Sequence, residues 1–228
     1  MNVLIVGYGK MGKLIDSLAA EQGIEVAGRV DEGRDEWHAA DVAIDFTTAD
    51  ALLRNFPRYL ELKMPVVIGT TGWNEHAAAL RAQAVRFREQ AEGAGLGVVA
   101  SANFSIGVNI FQLVVDEAAR LMNRQPEYGA WIHESHHITK RDAPSGTAIL
   151  LRDSMMSAGY SRAIDMSSTR AGAIPGIHTV GFDGPSDTIE LTHAARDRRG
   201  FATGALVAAR WIQGRRGWFT MTDVLQSS

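Results

Sequence analysis

The amino-acid sequence predicts two domains of different class: an α/β domain with a parallel sheet, and an α+β domain with an open mixed sheet. In the first hundred residues, short apolar runs alternate with amphipathic segments, which is the pattern of βαβ units. After about residue 104 a helix precedes several strand-like runs, which is typical of a separate sheet. We expect the first domain to span 1–103 and 201–228, and the second to span 104–200.

The composition of the 228 residues restricts the class of protein. A content of 46% hydrophobic and 21% charged residues is that of an ordinary soluble domain, and the net charge of -3 gives no basic surface for nucleic acid. The chain has no cysteine, which excludes disulfides and thiolate metal sites and favours a cytoplasmic location. The N-terminal apolar run is only about five residues long and lacks a preceding basic region, so we expect a buried strand and not a signal peptide or a membrane span.

The first βα unit contains a glycine-rich turn. A β-branched run at 2–6 is followed by GYGKMG at 7–12 and then by an amphipathic helix. Gly7 permits a tight turn, Gly9 lets the backbone approach a pyrophosphate, and Gly12 lets the helix pack closely on the strand. This order predicts a dinucleotide site; the alternative is a plain glycine turn in a flavodoxin-like domain.

The second strand, at about 24–30, leads to Asp31. A carboxylate about 20 residues beyond the glycine turn can accept both hydroxyl groups of a ribose. Asp31 should repel a 2′-phosphate and so favours NAD, but Lys10, Arg29 and Arg34 could each supply a compensating cation. Use of either cofactor is therefore left open, and in the alternative Asp31 is only a solvated loop acid.

Further strands are predicted at 42–46, 65–68 and 96–100, with helices at 49–60 and 75–90. Ligands bind at the carboxyl ends of such parallel strands, which predicts that Phe46, Thr47 and the GTTG segment at 69–72 line the cofactor crevice. GTTG can equally be a simple turn. Asn103 follows the last of these strands, where its amide could bind a nicotinamide or cap the helix that begins near Ser105.

The second domain is predicted to contain two helices and three strands. The helices are expected at 107–122 and 145–158, and the strands at 128–136, 173–182 and 188–194. A last helix at 202–213 and the tail FTMTDVL are apolar enough to return and pack on the first domain.

The segment HESHHITKRDAPSGTA at 133–148 concentrates proton donors and cations. Strand alternation places His136 and His137 on opposite faces, so that either can face a cleft. Lys140 and Arg141 follow in a loop, and Ser145 is the predicted N-cap of a helix whose first amides are free. A lysine beside a helix N-terminus suits a carboxylate, and a histidine supplies a proton donor near neutral pH. We therefore expect a site for a small dicarboxylate that is protonated while a nicotinamide delivers hydride.

Two simpler interpretations of the segment compete with this one. A histidine-rich loop could bind a metal, but companion ligands at the usual spacings are missing, so no metal is predicted. The segment could also be a solvated loop in which Asp142 and Ser145 serve only the turn and the helix cap.

The same segment closely resembles the E-x-H-H-x-x-K-x-D-A-P-S-G-T-A signature of the bacterial 4-hydroxy-tetrahydrodipicolinate (dihydrodipicolinate) reductases of lysine and diaminopimelate biosynthesis. GTTG at 69–72, ANFSIGVN at 102–109 and the closing FATGALVAARWIQGRRGWFTMTDVL are also similar, so the resemblance covers nearly the full chain. It implies a Rossmann-like first domain completed by the C-terminal helix, and a second domain that binds a small dicarboxylate heterocycle and forms a homotetramer. It also implies NADH or NADPH as the cofactor.

The resemblance further implies the role of individual residues. His136 would be the general acid/base and Lys140 a proton donor and anion-binding cation. The implied substrate contacts are His137, Lys140, Ser145, Gly146 and Thr147. The predicted cofactor contacts are Gly7, Tyr8, Gly9, Lys10, Met11, Gly12, Asp31, Phe46, Thr47, Gly69, Thr70, Thr71, Ser101, Ala102, Asn103, Phe104, Arg198 and Phe201.

In the implied reaction, a cyclic hydroxy-imine loses water, hydride adds at C4, and His136 or Lys140 helps to protonate the resulting enamine carbon. The chain departs from many members of the family in a glycine loop that is one residue shorter, and in a short connection between Asp31 and Asp41. The adenosine side of the cofactor pocket is therefore expected to be more open. The competing hypotheses are another two-domain dehydrogenase of the aspartate or homoserine type, and a non-catalytic dinucleotide-sensing protein.

Overall fold

A computed structural model describes residues 1–33, 36–90 and 95–227 of the chain. The chain divides into two compact units, a first unit of Met1–Ile106 with Arg199–Ser228 and a second unit of Gly107–Arg198. Among the helices that the structure describes, none is both long enough and apolar enough to cross a membrane.

The first hundred residues of the first unit alternate strands with helices. The elements are β1 (Asn2–Val6), α1 (Lys10–Ala19), β2 (Glu25–Val30), β3 (Val42–Asp45), α2 (Ala49–Glu61), β4 (Val66–Ile68), α3 (Ala77–Gln90) and β5 (Gly97–Ala100). Each strand and helix predicted in this region is present, with ends that shift by one or two residues. Strands β1, β3 and β4 are almost entirely buried and rich in valine and isoleucine. This pattern is expected when both faces of a parallel sheet are covered.

The second unit begins within a long helix and contains a separate sheet. Its elements are α4 (Ile106–Met122), β6 (Gly129–His136), α5 (Gly146–Ser157), β7 (Ile164–Arg170), β8 (Ile177–Asp183) and β9 (Thr188–Ala194). The strand order is β7-β6-β8-β9, in which β6 pairs parallel to β7 and antiparallel to β8, and β8 pairs antiparallel to β9. The predicted open mixed sheet is confirmed, but β7 was missing from the prediction.

The C-terminal segment returns to the first unit as α6 (Arg199–Ile212), β10 (Gly217–Phe219) and α7 (Met221–Gln226). The described strands of the first unit form a six-stranded parallel sheet in the order β10-β5-β4-β3-β1-β2. The sequence predicted the return of the helix but not the edge strand β10, which is only three residues long. The predicted α/β Rossmann-like class, with the domain completed by the C-terminal helix, is confirmed.

The parallel sheet carries a hydrophobic core on each face because successive strand residues point to opposite sides. Val3 and Ile5 of β1 contribute to one core, which α1 and α6 cover. Leu4 and Val6 contribute to the other, which α2 and α3 cover. The two covered faces leave the carboxyl edge of the sheet as the place where loops can form a site.

Candidate active site

The glycine turn between β1 and α1 is shaped by steric limits at two positions. Gly7 has a φ of +91°, and a Cβ there would lie 2.4 Å from the carbonyl oxygen of Phe46. A Cβ at Gly12 would lie 2.1 Å from the carbonyl oxygen of Gly7. A Cβ at Gly9 would meet no atom within 4 Å, and Gly9 caps α1 without a side-chain hydrogen bond. The turn therefore leaves open backbone at the N-terminus of α1, as a bound pyrophosphate requires.

A cleft of about 410 Å³ runs along the carboxyl edge of the parallel sheet. Five of the predicted cofactor residues line it, namely Gly7, Gly9, Asp31, Phe46 and Thr47. The prediction missed Glu32, Arg54 and Asn55, which line the same cleft. Arg54 and Asn55 belong to α2, whose amphipathic pattern gave no sign that its first half faces a ligand cleft.

Two smaller clefts along this edge contain most of the remaining predicted cofactor residues. One of about 360 Å³ is lined by residues that include Lys10, Met11, Gly69, Thr70 and Thr71, and one of about 240 Å³ by residues that include Ser101 and Ala102. Tyr8 lies with Arg29 and Asp31 beside a further cleft.

Asp45, at the end of β3, organises the loops that border these clefts. Its carboxylate is fully buried and accepts hydrogen bonds from Thr70 Oγ1 at 2.8 Å, Thr47 Oγ1 at 2.6 Å and Tyr59 Oη at 2.7 Å. The backbone N–H of Thr47 donates to Thr70 Oγ1 at 2.7 Å. One carboxylate therefore fixes both predicted cofactor loops, although the sequence analysis gave Asp45 no role.

The cations proposed to offset Asp31 have different surroundings. Arg29 donates two hydrogen bonds of 2.7 Å to Asp16, and Tyr8 donates a third to the same carboxylate. Hydrogen bonding from Arg29 lowers the pKa of Asp16 despite its partial burial, so the pair is charged at neutral pH. Arg34 lies outside the described residues.

Three predicted cofactor positions have side chains committed to the protein itself. Asn103 accepts the backbone N–H of Ser105 at 2.8 Å through Oδ1, one residue before α4 begins. Phe104 is 2% exposed and packs in the core against Phe46. Thr70 is buried on Asp45. Arg198 is the last residue of the second unit and Phe201 lies in α6, and their assignment stays a prediction.

In the second unit, the end of β6 carries a buried pair, Glu134 and His136. Two residues apart on one strand, they point to the same face, and they are 0% and 8% exposed. Oε2 of Glu134 contacts Nδ1 of His136 directly. Burial alone would raise the pKa of Glu134, but hydrogen bonds from Arg170, Ser168 and Ser145 lower it to about 2.

The pKa of His136 is lowered by burial, and the positive charges of Lys140 and Arg170 act in the same direction. The carboxylate of Glu134 opposes this effect. His178 of β8 lies edge-on to His136, with ring centroids 5.1 Å apart, and burial lowers its pKa to about 4. His178 is therefore neutral at pH 7.

The start of α5 is joined to this buried group. Ser145 is the N-cap, as predicted: its Oγ accepts the N–H of Ala148 at 3.2 Å. The same hydroxyl lies 3.1 Å from Nε2 of His178, and the backbone N–H of Ser145 donates to Oε1 of Glu134 at 3.2 Å. Gly146 is exposed and Thr147 half-buried at the first turn of α5.

Lys140 forms its ion pair within the loop. Its Nζ donates to both oxygens of Asp142 at 2.8 Å. Hydrogen bonds from Lys140 and from the backbone of Gly146 lower the pKa of Asp142. The Asp142 carboxylate thus uses the cation and a helix amide that were predicted to bind a ligand carboxylate. His137 bonds through Nδ1 to Thr139 Oγ1 at 2.7 Å.

Glu134, Arg170 and His178 also belong to this site, although no role was predicted for them from the sequence. A signal existed for Glu134, because a charged residue two positions from His136 shares its strand face. Among the described residues, Glu134, His136 and His178 can each present one metal-ligand atom within 4.8 Å of the others. Oε1 of Glu134 and Nε2 of His178 already form hydrogen bonds with Arg170 and Ser145.

Comparison with known proteins places this geometry in a family. A family model described as "Dihydrodipicolinate reductase, N-terminus" matches residues 1–104, and one described as "Dihydrodipicolinate reductase, C-terminus" matches residues 107–225. The 4-hydroxy-tetrahydrodipicolinate reductase of Christiangramia forsetii is 33% identical over 99% of this chain and 98% of its own length. That of Methanoregula boonei is 35% identical over 98% of this chain and 97% of its own.

A solved structure has the same fold. The dipicolinate-bound dihydrodipicolinate reductase from Paenisporosarcina sp. TG-14 superposes with a TM-score of 0.79 over 96% of this chain and 97% of its own, at 20% identity. Because both halves match the family models and relatives above 30% identity align over nearly their full length, the chain belongs to the dihydrodipicolinate reductase family.

Proposed function

We propose that this protein reduces 4-hydroxy-tetrahydrodipicolinate to tetrahydrodipicolinate with NADH or NADPH, in lysine and diaminopimelate biosynthesis. The observation that carries this function is the cluster at the end of β6, where the buried His136 lies in the field of Lys140 and near the N-terminus of α5. These are the groups that a carboxylate-bearing substrate needs when it must be both held and protonated. The relatives that carry this activity in their names support the assignment.

In the first unit, the open backbone at Gly9 and the N-terminus of α1 fit a pyrophosphate, and Asp31 in the adjoining cleft fits a ribose diol. Asp31 and Glu32 together favour NADH, whereas Arg54 on the same cleft can pair with a 2′-phosphate. Both cofactors are therefore proposed. When bound, the reduced nicotinamide supplies a hydride to C4 of the substrate ring.

In the second unit, His136 and Lys140 are proposed as the catalytic groups. Lys140 and the amides of Gly146 and Thr147 hold a carboxylate of the heterocycle, with His137 and Ser145 beside them. The C4 hydroxyl leaves as water, hydride adds at C4, and His136 donates a proton to the enamine carbon. The net change consumes one reduced nicotinamide and one proton, and releases water and the oxidised cofactor.

We also propose that residues 104–200 form the substrate and oligomerisation domain of a homotetramer, paired through the sheets. β9 is an edge strand of the four-stranded sheet, and most of its residues, including Ile189, are exposed, which supports a further contact there. Light scattering of the purified chain measures the oligomeric state directly. A cytoplasmic location stays a prediction from the sequence.

The decisive test is a coupled assay with each reduced nicotinamide. Purified protein should oxidise NADH or NADPH when the product of dihydrodipicolinate synthase is supplied, and should not do so with the synthase or its substrates omitted. Oxidation driven by aspartate-derived keto acids alone would favour another amino-acid-pathway dehydrogenase. Cofactor binding without any turnover would favour a sensing protein.

A matched pair of histidine variants tests the proton donor. His136→Gln should lower kcat about 10²–10⁴-fold, because a positioned acid typically contributes that much. His133→Gln should leave kcat close to wild type, because His133 lies on the other face of β6 and bonds Ser167 instead. Equal kcat values for the two variants would remove His136 from the acid role.

A further inference from the structure

Glu134 combines complete burial with a full negative charge. It is 0% exposed in the middle of the second sheet, between β7 and β8. A buried carboxylate is costly unless it is paired and hydrogen-bonded, so each of its oxygens must find strong partners. The way these partners divide between the two oxygens suggests a function beyond packing.

Oε1 of Glu134 collects the structural contacts. It accepts hydrogen bonds from Arg170 Nη2 at 2.6 Å, Ser168 Oγ at 2.7 Å and the backbone N–H of Ser145 at 3.2 Å. Arg170 also donates to the carbonyl oxygen of Asp142 at 2.6 Å. Oε1 therefore anchors the loop that carries Lys140 and the N-cap residue of α5.

In the described part of the structure, the polar contact of Glu134 Oε2 is with Nδ1 of His136. A buried carboxylate in contact with Nδ1, where neither atom has another partner among the described residues, favours a proton on this nitrogen and leaves Nε2 for exchange with a ligand. Nε2 faces Gly176, where a Cβ would lie 3.2 Å away. The charged and titratable groups around His136 are Glu134, Lys140, Arg170 and His178; of these only Glu134 favours the imidazolium.

We propose that Glu134 is a positioning residue for the reaction: it holds His136 in the Nδ1–H tautomer, stabilises its protonated form and ties it to the N-terminus of α5. This inference rests on the proposed function only in naming His136 as the proton donor. The proton donor and the carboxylate clamp then share one rigid support. A shift of α5 on ligand binding would be transmitted to His136 through a single carboxylate.

Glu134→Gln tests the positioning role with almost no change in volume. The Gln oxygen can keep the contacts to Arg170 and Ser145, but the amide nitrogen would face Nδ1 and disfavour the Nδ1–H tautomer. We expect kcat to fall by about 10²-fold or more, with dinucleotide affinity near the wild-type value. The pH at which kcat declines should move lower, because Glu134 raises the pKa of His136 and its loss lets the pKa fall.

Two further variants separate positioning from structure. Glu134→Asp should recover part of the lost kcat, because a carboxylate remains. Ser168→Ala removes one bond to Oε1 but leaves the Oε2 contact, and should keep the wild-type pH profile. A Glu134→Gln protein with wild-type kcat and an unshifted profile would overturn the proposal.

A measurement on the wild-type chain covers the case in which Glu134→Gln fails to fold. Nitrogen NMR of the ring of His136, assigned with His136→Gln, should report the Nδ1–H tautomer at a pH above its titration. The opposite tautomer would refute the positioning role whether or not the protein turns over the expected substrate. Absence of turnover in the coupled assay would instead refute the proposed function and leave the tautomer result intact.

Discussion

Two carboxylates, Asp45 in the first unit and Glu134 in the second, are both fully buried near the carboxyl end of a strand, but their partners differ. Neutral donors surround Asp45, the hydroxyls of Thr47, Tyr59 and Thr70. Glu134 instead is ion-paired with Arg170 and contacts His136. Asp45 therefore fixes the conformation of loops, whereas Glu134 also influences the protonation of His136.

The largest effect should come from breaking the charged pair. Glu134→Ala leaves the guanidinium of Arg170 buried without its counter-charge, and removing one partner of a buried pair typically costs about 3–5 kcal/mol. Urea unfolding of the full chain should show this loss in the transition of the second unit.

A double variant provides the control for this loss. Glu134→Leu with Arg170→Met removes both charges and should recover part of the stability, because apolar replacement of a buried pair is often tolerated. If the double variant were no more stable than Glu134→Ala, the loss would come from packing and not from the uncompensated charge.

Asp45→Ala should have a smaller effect on stability and a different effect on function. It leaves the buried hydroxyls of Tyr59 and Thr70 without their acceptor, which costs about 1–3 kcal/mol for a buried unsatisfied group. Dinucleotide affinity should fall because the loops at Thr47 and Thr70 lose their anchor. The midpoint of the kcat–pH profile should stay where it is in the wild type; a shift like that of Glu134→Gln would erase the distinction between the two carboxylates.

The pH dependence of the free energy of unfolding provides a further test of the charge on Glu134. Because the pKa of Glu134 is lowered to about 2 in the folded chain, from an ordinary value of 4.5, its ionised form contributes stability above pH 4.5. That contribution is lost as the pH falls from about 4.5 towards 2. Glu134→Gln has no such contribution to lose, so urea midpoints of wild type and variant should converge over this range. Parallel curves would mean that Glu134 is not ionised more readily in the folded protein.

Whether a strand could be predicted from the sequence depended on how deeply its side chains are buried. Strands β1, β3, β4 and β5 are buried on both faces and were found from their apolar runs, whereas β7 reads IDMSSTR, is mostly exposed, and gave no apolar run. β10 is three residues long, too short for any period. An edge strand that is short or mostly polar has no apolar run by which a sequence pattern could identify it.

The same reasoning explains which parts of the site were predicted. Glycines and the His136–Lys140 segment were found because their residue types are chemically distinctive. Asp45 and Glu134 lay inside predicted strands, yet received no role, because an acid in a strand is ordinarily read as facing solvent. The partners that allow their burial, Tyr59 and Arg170, are distant in sequence and become visible only in the fold.

The smallest effect concerns an exposed carboxylate. Asp142 pairs with Lys140 and receives a hydrogen bond from Gly146, so it occupies the groups proposed to bind the substrate. Its side chain is 57% exposed, and exposed pairs contribute only about 0.2–1 kcal/mol. Asp142→Asn should therefore tighten inhibition by 2,6-pyridinedicarboxylate about two- to fivefold, since a weaker competitor is easier to displace.

Lys140→Ala is the opposite arm of this test, and Arg141→Ala its control. Loss of a charge-assisted bond to a carboxylate should weaken inhibition by about 1.5–3 kcal/mol, whereas the exposed neighbour Arg141 should change it little. Weaker inhibition in Asp142→Asn would instead mean that Asp142 holds Lys140 in place for the ligand. The sign of the change in inhibition thus decides whether the Asp142 carboxylate competes with the substrate or supports its binding. The same question does not arise for Asp45 and Glu134, because these buried carboxylates cannot contact a ligand.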